Sequence, residues 1–420
     1  MSYIYGLDFG TTNSVLAIYD ITKGEVIKVF TMPSLLFFPE FQEDPKQFTY
    51  SVGDDAIEKY LESGMKGRFM KSIKTVLSNR SFNKTRIANK FFTAEDLVSL
   101  IIKALKNKAD HFLDRKINEA VIGRPVFFSE IPEKDAVAQN RLSKAVEMAG
   151  FKNFYFQYEP IAAAFTYERN ISNKELVLVA DFGGGTSDFS LMRLDPSNVT
   201  MSDRKKDMLA KGGVYIGGDN FDSRLMWDKG TPHLGRGVKE SFADRWLELP
   251  NSYYTNITSW DKMNFLNSYK MLEAIERSYV FSGKDPRVKN LLTVVQNNLA
   301  FSLFKEVEQT KIRLTDIDNT FLTFKETDVE FKEPVNITEY GDVIIKKDLS
   351  KIMSYLSEFL KNNSLVPSDL DSVFLTGGSS MVRPLKNLFV AEFGIQKIKH
   401  GNNFNSVAIG LAHSYKLLSK

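Results

Sequence analysis

Two places in this chain carry the same short string of chemistry-bearing residues behind an apolar run. Tyr3–Leu7 leads into Asp8-Phe9-Gly10-Thr11-Thr12-Asn13, and Glu175–Ala180 leads into Asp181-Phe182-Gly183-Gly184-Gly185-Thr186. Glycines of this kind let backbone N–H groups approach a polyphosphate without a Cβ in the way. The hydroxyls of Thr11, Thr12 and Thr186 add short donors. Mg2+ favours carboxylates and keeps most of its waters. Asp8 and Asp181 could therefore hold one hydrated Mg2+ between them. One Gly-Thr turn alone is ordinary hairpin chemistry; two in matched context point to phosphate.

The elements that must position these residues are legible around them. Each string runs on into a second apolar stretch, Ser14–Tyr19 or Asp188–Leu194, so each reads as a β-hairpin with a glycine bend. The repetition predicts a duplicated α/β lobe, each copy offering one hairpin to a shared cleft. Glu119–Gly123 reads as a buried strand and Asp135–Ala149 as a helix stopped by Gly150. Glu159–Tyr167 starts a helix with Pro160 in its first turn. Ser372–Thr376 is a strand that turns at Gly377-Gly378 into a helix from about Pro384. Ser406–Leu418 is a final helix. Leu225–Ala300 is less regular and holds Trp227, Trp246 and Trp260. Helices are expected there around Lys262–Tyr279 and Lys289–Leu314.

Composition narrows the function classes. The chain has 420 residues, too many for one ordinary core. Lys plus Arg is 55 and Asp plus Glu is 52. That balance gives no global reason for a nucleic-acid or membrane partner. The absence of cysteine excludes disulfides and thiol catalysis. His111, His233, His400 and His413 lack metal-ligand spacing and read as isolated surface residues. The N-terminus reads as a strand of the fold, and no apolar run approaches the roughly 20 residues that span a bilayer. The expectation is a soluble cytoplasmic protein.

Gly6–Ser14 (GLDFGTTNS) and Asp181–Ser190 (DFGGGTSDFS) resemble the two phosphate motifs of Hsp70 chaperones, within the actin and sugar-kinase superfamily. Five further segments resemble Hsp70 motifs in Hsp70 order: Ser72–Phe82, Tyr158–Tyr167, Gly217–Asp222 (GGDNFD), Val307–Thr315 (VEQTKIRLT) and Phe374–Ser380 (FLTGGSS). The resemblance implies a duplicated actin-like, ribonuclease H-like α/β ATPase fold, two lobes flanking a nucleotide cleft. Residues 1–176 with 405–420 would form one lobe. Residues 177–404 would form the other, elaborated by an insertion at about 225–300.

The resemblance also implies roles. Lys74 would be the active-site lysine near the γ-phosphate and Glu159 the glutamate that positions water. Asp8, Asp181 and Thr186 would complete the catalytic set, with Asp8 and Asp181 on Mg2+ through water and Asp188 assisting. ATP or ADP would be held by Gly10, Thr11, Thr12, Asn13, Lys74, Gly183, Gly184, Gly185, Thr186 and Gly218 at the phosphate side. Glu308, Lys311, Thr315, Gly377, Gly378 and Ser379 would face the adenosine. Taken alone, Glu308 and Lys311 are an exposed i, i+3 pair.

The phrases VIGRP (Val121–Pro125), FQYEPIAAA (Phe156–Ala164) and NSVAIGLA (Asn405–Ala412) look closest to short YegD-type Hsp70-like proteins lacking a peptide-binding domain. The resemblance then implies no acidic–apolar linker or β-sandwich after Lys420. Met381 stands where Hsp70 places an arginine after the second Gly-Gly, with Arg383 nearby. An acidic residue before the final helix is replaced around Phe404-Asn405. The expected activity is slow ATP hydrolysis. Two alternatives stay open: an ATP-sensing scaffold docking partners at 225–300, and an actin-like filament-forming ATPase. Oligomeric state is not readable.

Overall fold

The computed structural model describes residues 2–42, 48–64, 66–129, 131–169, 171–198, 204–242, 245–259, 262–263, 266, 268–401 and 405–418. Two five-stranded sheets dominate it, and they repeat one plan. The first runs Asn153–Tyr158, Glu119–Arg124, Tyr3–Phe9, Asn13–Asp20, Glu25–Pro33. The second runs Ile398–His400, Ser372–Thr376, Glu175–Phe182, Ser187–Leu194, Met208–Val214. In each, an antiparallel three-strand meander carries the hairpin and two parallel strands extend it. The duplication read from the two Asp-Phe-Gly strings is therefore a duplication of sheet topology.

Both hairpins form, with longer strands than the apolar pattern suggests. Asp8 pairs across from Val15, and Asp181 from Asp188. Cross-strand hydrogen bonds carry the ladder into the polar residues, where hydrophobic periodicity has already ended. The carboxylates are thus fixed on strands rather than on loops.

A middle layer joins the sheets. Helix Glu159–Glu168 and the closing helix Ser406–Leu418 pack together between them, burying Ile161, Ala162, Ala163, Ala164, Phe165, Ala408 and Leu411. Their approach is so close that a Cβ on Gly410 would lie 1.7 Å from the Ala162 carbonyl oxygen. Only glycine fits there. The outer face of the first sheet is covered by helix Ala94–Leu113, started by a Thr93/Asp96 capping box, and by Pro132–Met148. Helices Ala300–Arg313, Lys346–Asn362 and Arg383–Phe393 contribute to the core beneath the second sheet. Among the described residues no helix is long and apolar enough to cross a membrane.

Strand Ser372–Thr376 and helix Ser406–Leu418 have the bounds expected of them. The 225–300 region departs from expectation. The helix expected over Lys289–Leu314 is two helices, Pro286–Gln296 and Ala300–Arg313. Between them Asn298 adopts a left-handed φ of 55°, a break that asparagine tolerates and apolar periodicity does not show. The preceding helix begins only at Tyr269, where Ser268 caps it. An exposed hairpin, Lys239–Phe242 with Arg245–Glu248, was not expected. Trp227 packs against the second core, Trp246 is exposed on the hairpin, and Trp260 lies outside the described residues. Nor is His233 isolated: it stacks on Phe331 and meets Glu333 at 3.0 Å.

The two halves touch again above the middle layer. Phe301 sits among Leu35, Phe37, Tyr60 and Phe69, with its ring centroid 4.8 Å from that of Phe69. Lys71 reaches across to Asp219 at 3.4 Å. Between these contacts and the middle helices lies an open cleft.

Candidate functional site

The cleft encloses about 980 Å3, and every residue singled out from the sequence as catalytic or nucleotide-facing lines it. Asp8, Gly10, Thr11, Thr12 and Asn13 come from the first hairpin. Asp181, Gly183, Gly184, Gly185, Thr186 and Asp188 come from the second. Lys74, Glu159, Gly218, Glu308, Lys311, Thr315, Gly377, Gly378 and Ser379 complete the walls. The structure brings together residues spread from position 8 to position 379.

The hairpin turns meet face to face. A Cβ on Gly184 would lie 2.0 Å from Thr12 Oγ1 and 3.3 Å from Asp219 Oδ1. Thr12 Oγ1 itself is buried without a protein partner. A folded protein rarely leaves such a group unsatisfied, so this atom marks a place where a ligand or water belongs. The Thr186 hydroxyl, expected as a short donor, donates to Asp188 Oδ2 at 2.8 Å. Its proton is already engaged by the neighbouring carboxylate.

Lys74 sits on a short 3-10 turn, Ile73–Val76, entered through Ser72 at a left-handed φ of 58°. Arg141 anchors the segment that follows, donating to the carbonyls of Val76, Leu77, Asn79 and Phe82. From there the Lys74 ammonium donates to Glu159 Oε1 at 2.9 Å, with both side chains almost buried. Glu159 opens the middle-layer helix, with Pro160 in the first turn. It thus meets the favourable end of the helix dipole and the lysine together.

Four carboxylates surround that one ammonium, and Asp8, Asp181 and Asp188 are held above the usual carboxylate range. Burial first, then the charge of Glu159, pushes the Asp8 carboxyl up to about 7, against the pull of Lys74. Burial and the charges of Glu159, Asp188 and Asp8 hold Asp181 well above the usual carboxylate range. Burial pushes Asp188 up to about 6 despite the Thr186 hydrogen bond. Burial disfavours a charged Lys74, but Glu159 and Asp8 outweigh it and raise its pKa. The arrangement carries excess negative charge that a divalent cation would offset. Among the described residues no three carboxylate or imidazole groups form a ready-made metal cluster. The geometry suits a hydrated ion met by few protein oxygens.

A stability prediction follows for the ligand-free protein. The unfolded Asp8 carboxyl titrates near 3.9. Its folded pKa is raised, so its contribution is greatest below the unfolded value and is lost as pH rises through about 7. In EDTA the protein should gain about 1 kcal/mol from this group between pH 8 and pH 6. Asp181 and Asp188 act in the same direction. Thermal melts across that range should rise toward acid, and Asp8→Asn should flatten the trend; an equally steep trend in the variant would refute this origin.

The far wall is built around helices Gly218–Leu225 and Ala300–Arg313. Lys311 does not pair with Glu308 on the helix surface: it is drawn inward to Asp222 Oδ2 at 2.7 Å. Ser379 Oγ donates to the Gly183 carbonyl at 2.8 Å, tying the Gly377-Gly378 turn to the second hairpin. Arg383 donates to the Leu314 and Ile317 carbonyls and to Asp318, so it braces the end of the Ala300–Arg313 helix. Met381 and Ile312 are left on the cleft wall.

A family model described as "Hsp70 protein" matches residues 47–228 and 287–420. The chain belongs to the Hsp70 family. The unmatched stretch between the two segments falls inside the region read as an insertion. Over 99% of its length this Hsp70 chain is 25% identical to the chaperone protein DnaK of Thermosipho melanesiensis and 26% identical to that of Thermotoga maritima. It is 24% identical, over 98% of its length, to DnaK of Cyanidium caldarium. It spans about three fifths of the length of these relatives. The paired five-stranded sheets and their cleft are the mixed α/β, actin-like ATPase fold expected from the resemblance.

Sequence reading missed three features of the Hsp70 site. Asp219 lies inside the GGDNFD motif, yet its pairing with Lys71 and its closeness to Gly184 come from distant segments. Arg141 had no signal beyond a charged residue on a helix. The Lys311–Asp222 pair joins two recognised motifs, and neither motif predicts the other as its partner.

Proposed function

We propose that this chain binds Mg-ATP in the cleft and hydrolyses it slowly. The buried Lys74–Glu159 pair, set among Asp8, Asp181 and Asp188, carries this reading. Lys74 would supply positive charge where it grows on the transferring γ-phosphoryl group. Glu159 would orient the attacking water, and Asp188 would receive or pass its proton. Asp8 and Asp181 would hold Mg2+ through its waters; bound there, the ion would offset charge on the phosphates. The backbone of Gly10–Asn13 and Gly183–Thr186 would cradle those phosphates, with Thr12 Oγ1 finding its partner. Ile312 and Met381 offer an apolar surface for the base, with Glu308, Lys311 and Thr315 toward the ribose.

Within the family, VIGRP, FQYEPIAAA and NSVAIGLA support a place beside the short YegD-type proteins. The exposed Trp246 hairpin supports a second element of the reading, a protein partner docked on the 225–300 region and governed by nucleotide.

Purified protein incubated with labelled ATP should retain it in Mg2+ and lose most of it in EDTA. Phosphate release should run below the roughly 1 s−1 lower end of kinase turnover. No retention of ATP in Mg2+ would overturn the reading.

A further inference from the structure

Behind the nucleoside end of the cleft lies a buried polar cluster that the phosphate chemistry does not use. Lys311 donates to one oxygen of Asp222, and that carboxylate is almost wholly buried. Its other oxygen, Oδ1, is buried without a protein partner, and so is the hydroxyl of Tyr340. The helix Gly218–Leu225 that carries Asp222 packs against the Tyr340–Ile344 turn, and after burial itself the Asp222 charge helps to raise the Tyr340 hydroxyl well above its ordinary pKa. Tyr340 therefore stays a neutral donor at any accessible pH. It begins a π-helical turn, Tyr340–Ile344, a geometry often found at functional sites.

The rest of the surroundings are fixed. Asp222 lies on helix Gly218–Leu225, whose Asp219 meets Lys71 and whose Arg224 meets Asp348. Glu308 and Lys311 face it from the Ala300–Arg313 helix, Asp219 from its own helix, and Tyr340 from the π turn. Lys311 and Glu308 also line the cleft. A movement of Asp222 would thus be felt by the ammonium that faces the ligand.

We propose that one buried water joins the Tyr340 hydroxyl to Asp222 Oδ1, and that this relay positions the Lys311 ammonium at the nucleoside end of the cleft. A shared water gives both unpartnered atoms a hydrogen bond, the usual use of buried water. Asp222 and Tyr340 are then positioning residues that act through Lys311 without touching the ligand. The inference rests on reading the cleft as a nucleotide site.

The relay has a pH signature. Burial pushes the Asp222 carboxyl up to about 6, against the pull of Lys311 and with the charges of Glu308 and Asp219 adding to the rise. Protonation would release Lys311. A hydrogen bond from Tyr340 through water favours the charged carboxylate, so losing the hydroxyl should raise the pH at which Lys311 is released.

The probe is adenosine in EDTA, which carries no phosphate to meet Asp8 and Asp181. Its affinity for the full chain, by titration calorimetry from pH 8 to pH 5, should fall several-fold around pH 6. Tyr340→Phe should weaken adenosine a few-fold at pH 8 and move the acid step upward by about half a unit or more. Asp222→Asn should weaken adenosine about tenfold at pH 8 and abolish the step. Should Asp222→Asn fail to fold, the Tyr340→Phe profile decides alone, with its melting temperature confirming an intact fold. An unmoved step in Tyr340→Phe overturns the relay. Binding of Mg-ADP without adenosine overturns it too and leaves the nucleotide reading standing. Failure of both ligands at pH 8 brings down the nucleotide reading itself.

Discussion

Gly184→Glu should abolish Mg-ATP binding while the protein remains folded. The two glycine turns approach so closely at Gly184 that even a methyl group would sit 2.0 Å from Thr12 Oγ1. Such a contact forces one turn away from the other. The added carboxylate would then stand beside Asp219 in a cleft already charged by Asp8, Glu159, Asp181 and Asp188. Sterics and electrostatics both oppose a polyphosphate there. A loss of at least 100-fold is expected, or about 2.7 kcal/mol. Gly185→Ala is the milder comparison, because a Cβ at that position meets no protein atom within 4 Å and only its encroachment on the phosphates would weaken binding. Both variants should melt within a few degrees of the parent, since neither residue is in the cores. Equilibrium dialysis with labelled ATP separates them. Retained affinity in Gly184→Glu would mean that the phosphates do not lie between the hairpins.

That prediction could be framed from the sequence, and its physical reason could not. Asp-Phe-Gly-Thr after an apolar strand is a local pattern, and local patterns survive translation into structure: both hairpins form. Ser372–Thr376 and Ser406–Leu418 are equally legible, one as a continuous apolar run and the other as an unbroken helical period. The sequence does not disclose that Thr12 would be pressed against Gly184, since contact between two turns depends on how the middle-layer helices set the sheets. Gly410 against Ala162 fixes that spacing from a third part of the chain.

The same limit explains the side-chain pairings. Lys311 looked like the partner of Glu308 because i, i+3 spacing is all that a lone helix offers. In the folded protein a buried carboxylate on another helix competes for it and wins, because an unpaired buried Asp222 would cost more than an unpaired surface glutamate. Arg141 holds the Lys74 segment through four carbonyls, and carbonyls leave no trace in a sequence. The 225–300 region was legible as irregular. Its breaks were not, because Asn298 and Ser268 act through backbone conformation and capping.

Lys74→Ala should separate binding from chemistry. Lys74 is the ammonium that lowers the pKa values of Asp8, Asp181 and Asp188 against burial. Without it the carboxyls should protonate more readily, and Glu159 would lose its 2.9 Å partner. Positive charge near the γ-phosphoryl group matters most in the transition state, so the hydrolytic step should slow about 100- to 1,000-fold. Nucleotide affinity should change far less, because the glycine turns and the wall around Lys311 are untouched. Lys74→Arg should not restore the rate: a planar guanidinium cannot replace a compact ammonium in so enclosed a place. Single-turnover phosphate release alongside ADP titration tests both halves. A tenfold or larger loss of ADP affinity with normal turnover would place Lys74 in binding and leave the chemical step to other groups. If turnover falls and the Trp246 surface still changes its partner with ATP, then binding alone sets the state of the cleft. Hydrolysis would then serve to reset that state.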